Sequence, residues 1–135
     1  MRPIVKDSIR RVKECKILFE KIKDGKIKAA TASFIFAEIA WVCQKFYGLD
    51  KETTAEALKR ILNYKNIVIL DKTNIALAVD IYQKHNLKFI DGLIASIPKI
   101  QQKEMVVISY DKDFDKLDII RKEPKDLIFK RSERK

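Results

Sequence analysis

Two short β-branched runs set the framework of this chain. Ile67-Val68-Ile69-Leu70 and Met105-Val106-Val107-Ile108-Ser109 have no polar alternation, and helical patterns separate them. A continuous apolar run of this kind reads as a strand buried on both faces. Strands that alternate with helices imply a parallel sheet covered by helices, hence an α/β fold. In such sheets the residues just past the carboxyl ends of the strands converge on one crevice. That edge is where a site is expected.

The remaining elements follow from periodicity and punctuation. Val12, Cys15, Phe19 and Ile22, with Leu18 flanking, recur at three and four and predict a first amphipathic helix. Asp7 or Ser8 suits its N-cap, and Asp24-Gly25 its stop. A strand is expected from Ile27 to Thr31, then a helix capped by Ser33, apolar nearly all round, that ends at Tyr47-Gly48. A further helix starts near Asp50 and gives way at Asn63. Asp71 or Thr73 is placed to cap the next one, which His85-Asn86 breaks. A helix from Phe89 to about Gln102 carries Pro98, which predicts a kink or an early end. Asp111 to Leu117 reads as a loop and short helix, residues 126–130 as a last edge strand, and residues 131–135 as a frayed basic tail.

A chain of 135 residues predicts one domain able to bury a real core. Its apolar runs reach about ten residues, short of the ~20 that span a bilayer, so no membrane segment is expected. The N-terminus enters charged residues at once and offers no signal-peptide pattern. Cys15 and Cys43 lack metal-ligand spacing and read as reduced, small core residues, which fits a cytoplasmic protein. The net charge of +10 favours a polyanionic partner, nucleic acid first. The plain alternative is a lysine-rich surface that serves solubility.

Three sets of carboxylates stand out against this background. Asp91 is the one charge in Phe89-Ile90-Asp91-Gly92-Leu93-Ile94-Ala95, and Glu38 the one charge in Phe34-Ile35-Phe36-Ala37-Glu38-Ile39-Ala40-Trp41-Val42-Cys43. Asp111, Asp113 and Asp115 follow the second β-branched run. A buried carboxylate either finds a partner or holds a cation. Oxygen-only ligands favour hard ions such as Mg²⁺ or Mn²⁺. Hard metals in an acidic crevice on a basic protein suit phosphodiester hydrolysis. The structural alternatives are a surface ion pair for Glu38 and helix-dipole stabilisation for Asp91. His85 reads as a helix end and not as a base, and Trp41, Phe46 and Tyr47 as core or subunit interface.

In order and spacing these residues resemble the second, third and fourth acidic motifs of PIN-domain nucleases. The resemblance rests on Ala37-Glu38, on Phe89 to Ala95, and on Ser109-Tyr110-Asp111-Lys112-Asp113-Phe114. Within that family the chain is most similar to VapC-type toxins. The resemblance implies a three-layer α/β/α domain with a central parallel sheet, and Glu38, Asp91 and Asp111 as ligands of Mg²⁺ or Mn²⁺. Asp113 would be the substitute ligand, and Ser109 would support the acids or the phosphate. It further implies an endoribonuclease acting on RNA, the toxin of a toxin–antitoxin pair, with a cognate antitoxin protein and a homodimeric state. The family's opening strand, apolar-apolar-Asp-Thr-Asn, has no good copy. Ile4-Val5-Lys6-Asp7-Ser8 is the nearest, and Lys6 interrupts it. Asp7 is then either a helix cap, in which case the fold lacks its first strand, or the fourth acid. The lacking strand also supports a second reading, a catalytically inactive PIN-like module that binds RNA or a protein partner.

Overall fold

The computed structural model describes residues 3–129, with side chains described for 8–129. The expected basic tail at 131–135 lies outside the described residues. Helices α1 (Pro3–Lys23), α2 (Ser33–Lys45), α3 (Lys51–Leu62), α4 (Ile75–Lys84), α5 (Phe89–Ala95), α6 (Pro98–Gln101) and α7 (Pro124–Ile128) account for most of the chain. The strands are short: β1 (Ala29–Thr31), β2 (Ile67–Ile69), β3 (Val107–Ile108) and β4 (Arg121–Lys122). A 3₁₀ helix, Lys112–Lys116, follows β3. The chain divides into two compact units, one made of the chain up to Leu18 and from Lys72 onward, the other of Phe19–Asp71.

In the unit Phe19–Asp71, β1 and β2 pair in parallel, with Ala30 opposite Val68. Parallel pairing follows from the two helices between the strands, and the class inferred from the β-branched runs is correct at this level. Burial is less than expected. Val68 is 62% exposed, so this strand is not covered on both faces as its composition implies. Two strands are too few to bury it, because β1 supplies only Ala29, Ala30 and Thr31 beside it. At the α2 start, Ser33 is not the cap. Its backbone N–H donates to Asp71 Oδ1 at 2.6 Å, and that bond holds the Asp71 carboxyl below its ordinary range. Asp50 caps α3 as expected, accepting from the Thr53 N–H at 2.7 Å.

The other unit holds most of the buried core. Ala78, Ile81, Ala95, Ile97, Ile100, Val107, Phe114 and Ile128 are buried in it. The long helix expected from Phe89 ends early. Ser96 caps α5, and Ile97 is extended immediately before Pro98, as the residue preceding proline favours. Asn74, not Asp71 or Thr73, caps α4 by accepting from the Leu77 N–H. β3 and β4 pair in parallel, with Ile108 opposite Lys122. Of the strand expected at 126–130, residue 130 lies outside the described residues and 126–128 lie in α7, because Pro124 at its first turn and reciprocal bonds between Glu123 and Asp126 nucleate a helix there.

The buried stripe of α1 also differs from the periodic reading. Glu14, Leu18 and Ile22 are buried at successive spacings of four, whereas Val12 and Phe19 are largely exposed. The helix begins at Pro3, so Asp7 and Ser8 lie inside it and do not cap it.

One close approach fixes how α4 meets α5. A Cβ added at Gly92 would come 3.0 Å from the carbonyl oxygen of Ala78, a backbone atom that cannot rotate away. Overpacking costs about 1–3 kcal/mol, against a helix-propensity gain for alanine of at most about 1 kcal/mol. Gly92→Ala is therefore expected to lower the urea midpoint of unfolding. An unchanged or higher midpoint would mean that the two helices separate at no cost.

Candidate active site

The residues after β3 build the first half of the site. Ser109 Oγ accepts from the Asp111 N–H at 3.0 Å, and Asp111 Oδ1 accepts from the Asp113 N–H at 2.9 Å. Asp111 thereby caps the 3₁₀ helix with one oxygen and leaves the other oxygen outside that bond. Asp113 pairs with Lys116 at 3.1 Å. Lys116 also donates to the Asn86 carbonyl oxygen at 3.1 Å, which ties the 3₁₀ helix to the turn before α5. Asp91 lies in the first turn of α5, with its N–H donated to Lys88 O at 3.0 Å.

The electrostatics around Asp91 oppose its ionisation. Burial raises its pKa first, and the neighbouring charge of Asp111, then of Asp113, raises it further. Lys88 opposes these effects without overcoming them. Asp50, Asp71 and Asp115 all shift the other way, each because it accepts hydrogen bonds. Asp91 is thus held among like charges in a partly desolvated position, the condition that a bound cation relieves. Mg²⁺ is commonly held by one or two carboxylates with water completing its shell, so Asp91 and Asp111 suit such an ion. Among the described residues no group of three or more His, Cys, Asp or Glu side chains is poised to hold a metal. Glu38 belongs to the other unit, where it is half-buried on α2. Asp7 is in α1, and its side chain lies outside those described.

A second network, invisible to periodicity, supports the Asp111 turn. Tyr110 donates its hydroxyl to Glu14 Oε1 at 2.8 Å, and Arg10 pairs with Glu14 Oε2 at 3.0 Å. The Arg11 guanidinium sits over the Tyr110 ring, 4.4 Å from its centre. Burial, and then the bond to Glu14, push the tyrosine pKa upward, so the phenol stays protonated and remains a donor. Glu14 is spaced four residues before Leu18 and eight before Ile22. A carboxylate in line with two buried aliphatics was the available signal.

Arg121 organises the far side of the same turn. It forms a two-pronged pair with Asp115 at 2.9 and 3.2 Å, pairs with Glu123 at 2.8 Å, and donates to the Ser109 carbonyl oxygen at 2.9 Å. Its pKa is driven up by Asp115 and then by Glu123. Cys15 and Cys43 are free thiols, and both are partly exposed and not the core residues expected. His85 closes α4 through its backbone N–H. Trp41, Phe46 and Tyr47 are exposed, which overturns the core half of their reading as core or subunit interface.

Comparison with known families decides what this arrangement is. The PIN-domain model matches residues 5–120. The chain belongs to the PIN-domain family. That family is generally a nuclease fold and usually uses divalent metals such as Mg²⁺ or Mn²⁺. No curated protein and no solved structure matches the chain. Among the described residues, no helix is long and apolar enough to cross a membrane.

Two outcomes are expected from the PIN-domain site. Asp91 binds its proton more tightly in the folded chain than in the unfolded one. The stability this proton contributes is full at low pH and is lost as pH rises through the raised pKa. Asp91→Asn should therefore raise the melting temperature at neutral pH without metal and flatten its decline above the ordinary aspartate range. A lower melting temperature for the variant at neutral pH would show that the carboxylate is satisfied. Tyr110→Phe removes one bond to a buried carboxylate and should cost roughly 1–3 kcal/mol in urea unfolding. A change within error would show that water replaces the hydroxyl freely.

Proposed function

We propose that this chain is a metal-dependent endoribonuclease that hydrolyses RNA phosphodiester bonds. The observation that carries the reading is the raised pKa of Asp91, crowded by Asp111 and Asp113, on a PIN-family chain of net charge +10. Glu38, Asp91 and Asp111 are the proposed metal ligands, with Asp113 the substitute and Ser109 holding the Asp111 backbone. A divalent ion held there would acidify water and offset charge on the attacked phosphate. The chain's own contribution is to hold Asp91 partly desolvated beside the charge of Asp111 and to fix Asp111 through Ser109 and the Tyr110–Glu14 bond. The basic surface would draw in the RNA backbone, so binding should weaken steeply with salt.

The similarity of the ordered acidic motifs to VapC-type toxins supports a finer proposal: the toxin of a toxin–antitoxin pair, cytoplasmic, with a cognate antitoxin protein. The same similarity underlies the proposal that residues 1–135 form one three-layer α/β/α domain around a parallel sheet. Exposed Trp41, Phe46, Tyr47 and Leu49 favour a homodimer, since apolar groups of this size are commonly covered by a partner. A second reading, an inactive module that binds RNA or a protein, is favoured by one observation. Residues 3–23 form a helix, where the family's opening strand would carry its first acid.

Incubation of the chain with mixed RNA in Mn²⁺, Mg²⁺ or EDTA, beside Asp91→Asn, separates the readings. Metal-dependent cleavage that falls roughly 100-fold or more in the variant is expected, the scale for losing a main electrostatic group. RNA binding without cleavage in any metal would support the inactive module.

A further inference from the structure

Within the unit Phe19–Asp71, a groove of about 400 Å³ is lined by Lys23, Arg60, Asn63, Tyr64 and Lys65. It contains three cationic side chains and no carboxylate. None of the three cations pairs with an acid among the described residues. Lysine and arginine are common at helix C-termini, where they satisfy the last carbonyls and oppose the helix dipole. That duty is already filled here. Asn66 Nδ2 donates to both Ile22 O and Lys23 O at 3.0 Å, and the Gly25 N–H takes Ile22 O as well. At the end of α3, the Asn63 N–H takes Lys59 O and the Tyr64 N–H takes Ile61 O. Asn66 adopts a φ of 69° to reach the helix end, a left-handed conformation that asparagine tolerates better than most residues. The two helix ends are closed by amides, and the cations are left over.

We infer that this groove is a binding site for the phosphodiester backbone of RNA. It opens where β2 begins, whereas Ser33 and Asp71, at the start of the Glu38 helix, follow the opposite ends of β1 and β2. RNA gripped here is held by its phosphates. Tyr64 is pinned by its hydroxyl bond to Phe19 O at 2.8 Å and by an edge contact with the Phe19 ring. The groove wall is therefore preorganised, and the flexible lysines supply the charge. The chemistry is sequence-independent, because point charges on phosphates carry no base information.

This inference rests on the RNA-binding part of the proposed function. The test compares Lys23→Gln/Arg60→Gln/Lys65→Gln with a control of three exposed lysines outside the groove, Lys13→Gln/Lys16→Gln/Lys99→Gln. Single-stranded RNA binding is measured in EDTA as a function of salt. Each lost phosphate contact lowers the slope of log affinity against log salt by about 0.7, so the groove variant should lose about 2. Its affinity advantage at about 0.1 M over about 1 M salt should shrink about 100-fold. In the cleavage assay KM should rise more than kcat falls. An equal slope change in the control, or none in either, would overturn the groove. Asp91-dependent cleavage with an unchanged groove slope would sink this inference alone and leave the nuclease reading intact. Wild-type chain that neither binds nor cleaves RNA would end both. Saturation of the groove by inorganic phosphate, with no effect on RNA affinity, would mark a small-anion site and overturn the RNA assignment.

Discussion

The hydrogen bond from Tyr110 to Glu14 joins residues 96 positions apart, and the candidate site rests on it. Without a donor, a carboxylate buried as deeply as Glu14 would be among the most costly groups in the unit. With the phenol and Arg10 both engaged, it anchors the backbone immediately before Asp111 to the middle of α1. Arg121 does the same from the other side by holding Asp115, Glu123 and the Ser109 carbonyl. The turn that carries Asp111 and Asp113 is thus clamped twice, by paired charges whose costs are met locally. Asp91 differs in kind. Two of its charged neighbours, Asp111 and Asp113, are carboxylates, and Lys88 does not offset their repulsion together with its desolvation.

This contrast assigns the acids to different work. Asp50 and Asp71 accept backbone N–H groups at helix starts, and Asp115 accepts a guanidinium, so their depressed pKa values report structural duty. Asp111 combines the two roles, because one oxygen caps a 3₁₀ helix while its charge bears on Asp91. An acid that does both is hard to replace. Asparagine would preserve the cap and remove the charge, so structure and chemistry can be separated at that position.

The α/β class was legible because β-branched runs divided by helices admit few arrangements, and the acids were legible because charge is rare inside apolar runs. Helix starts were harder. The nearest Ser, Asp or Thr predicts the caps of α2 and α4, but Asp71 serves α2 from 38 residues away, and local sequence does not reveal such a donor–acceptor pair. The α1 stripe was misread for a related reason. Periodicity counts apolar residues only, and the buried face includes Glu14, whose partner lies on the β3 turn. The 126–130 strand failed because Leu127, Ile128 and Phe129 suggest extension, while Pro124 and the Glu123–Asp126 exchange dictate a helical turn. The exposure of Val68 shows the converse limit: composition states what a strand tolerates on its faces and not what the rest of the chain supplies to cover them.

The close packing of Gly92 on Ala78 has an evolutionary side. A glycine directly after a metal-ligand candidate invites a reading in which catalysis preserves it. Here a neighbouring helix backbone crowds any side chain at that position, whatever Asp91 does. A descendant that had lost its acids would still keep that glycine and the apolar residues around it. Persistence of the Phe89–Ala95 pattern among relatives therefore tracks the α4–α5 contact, and only the carboxylate itself can report on retained chemistry.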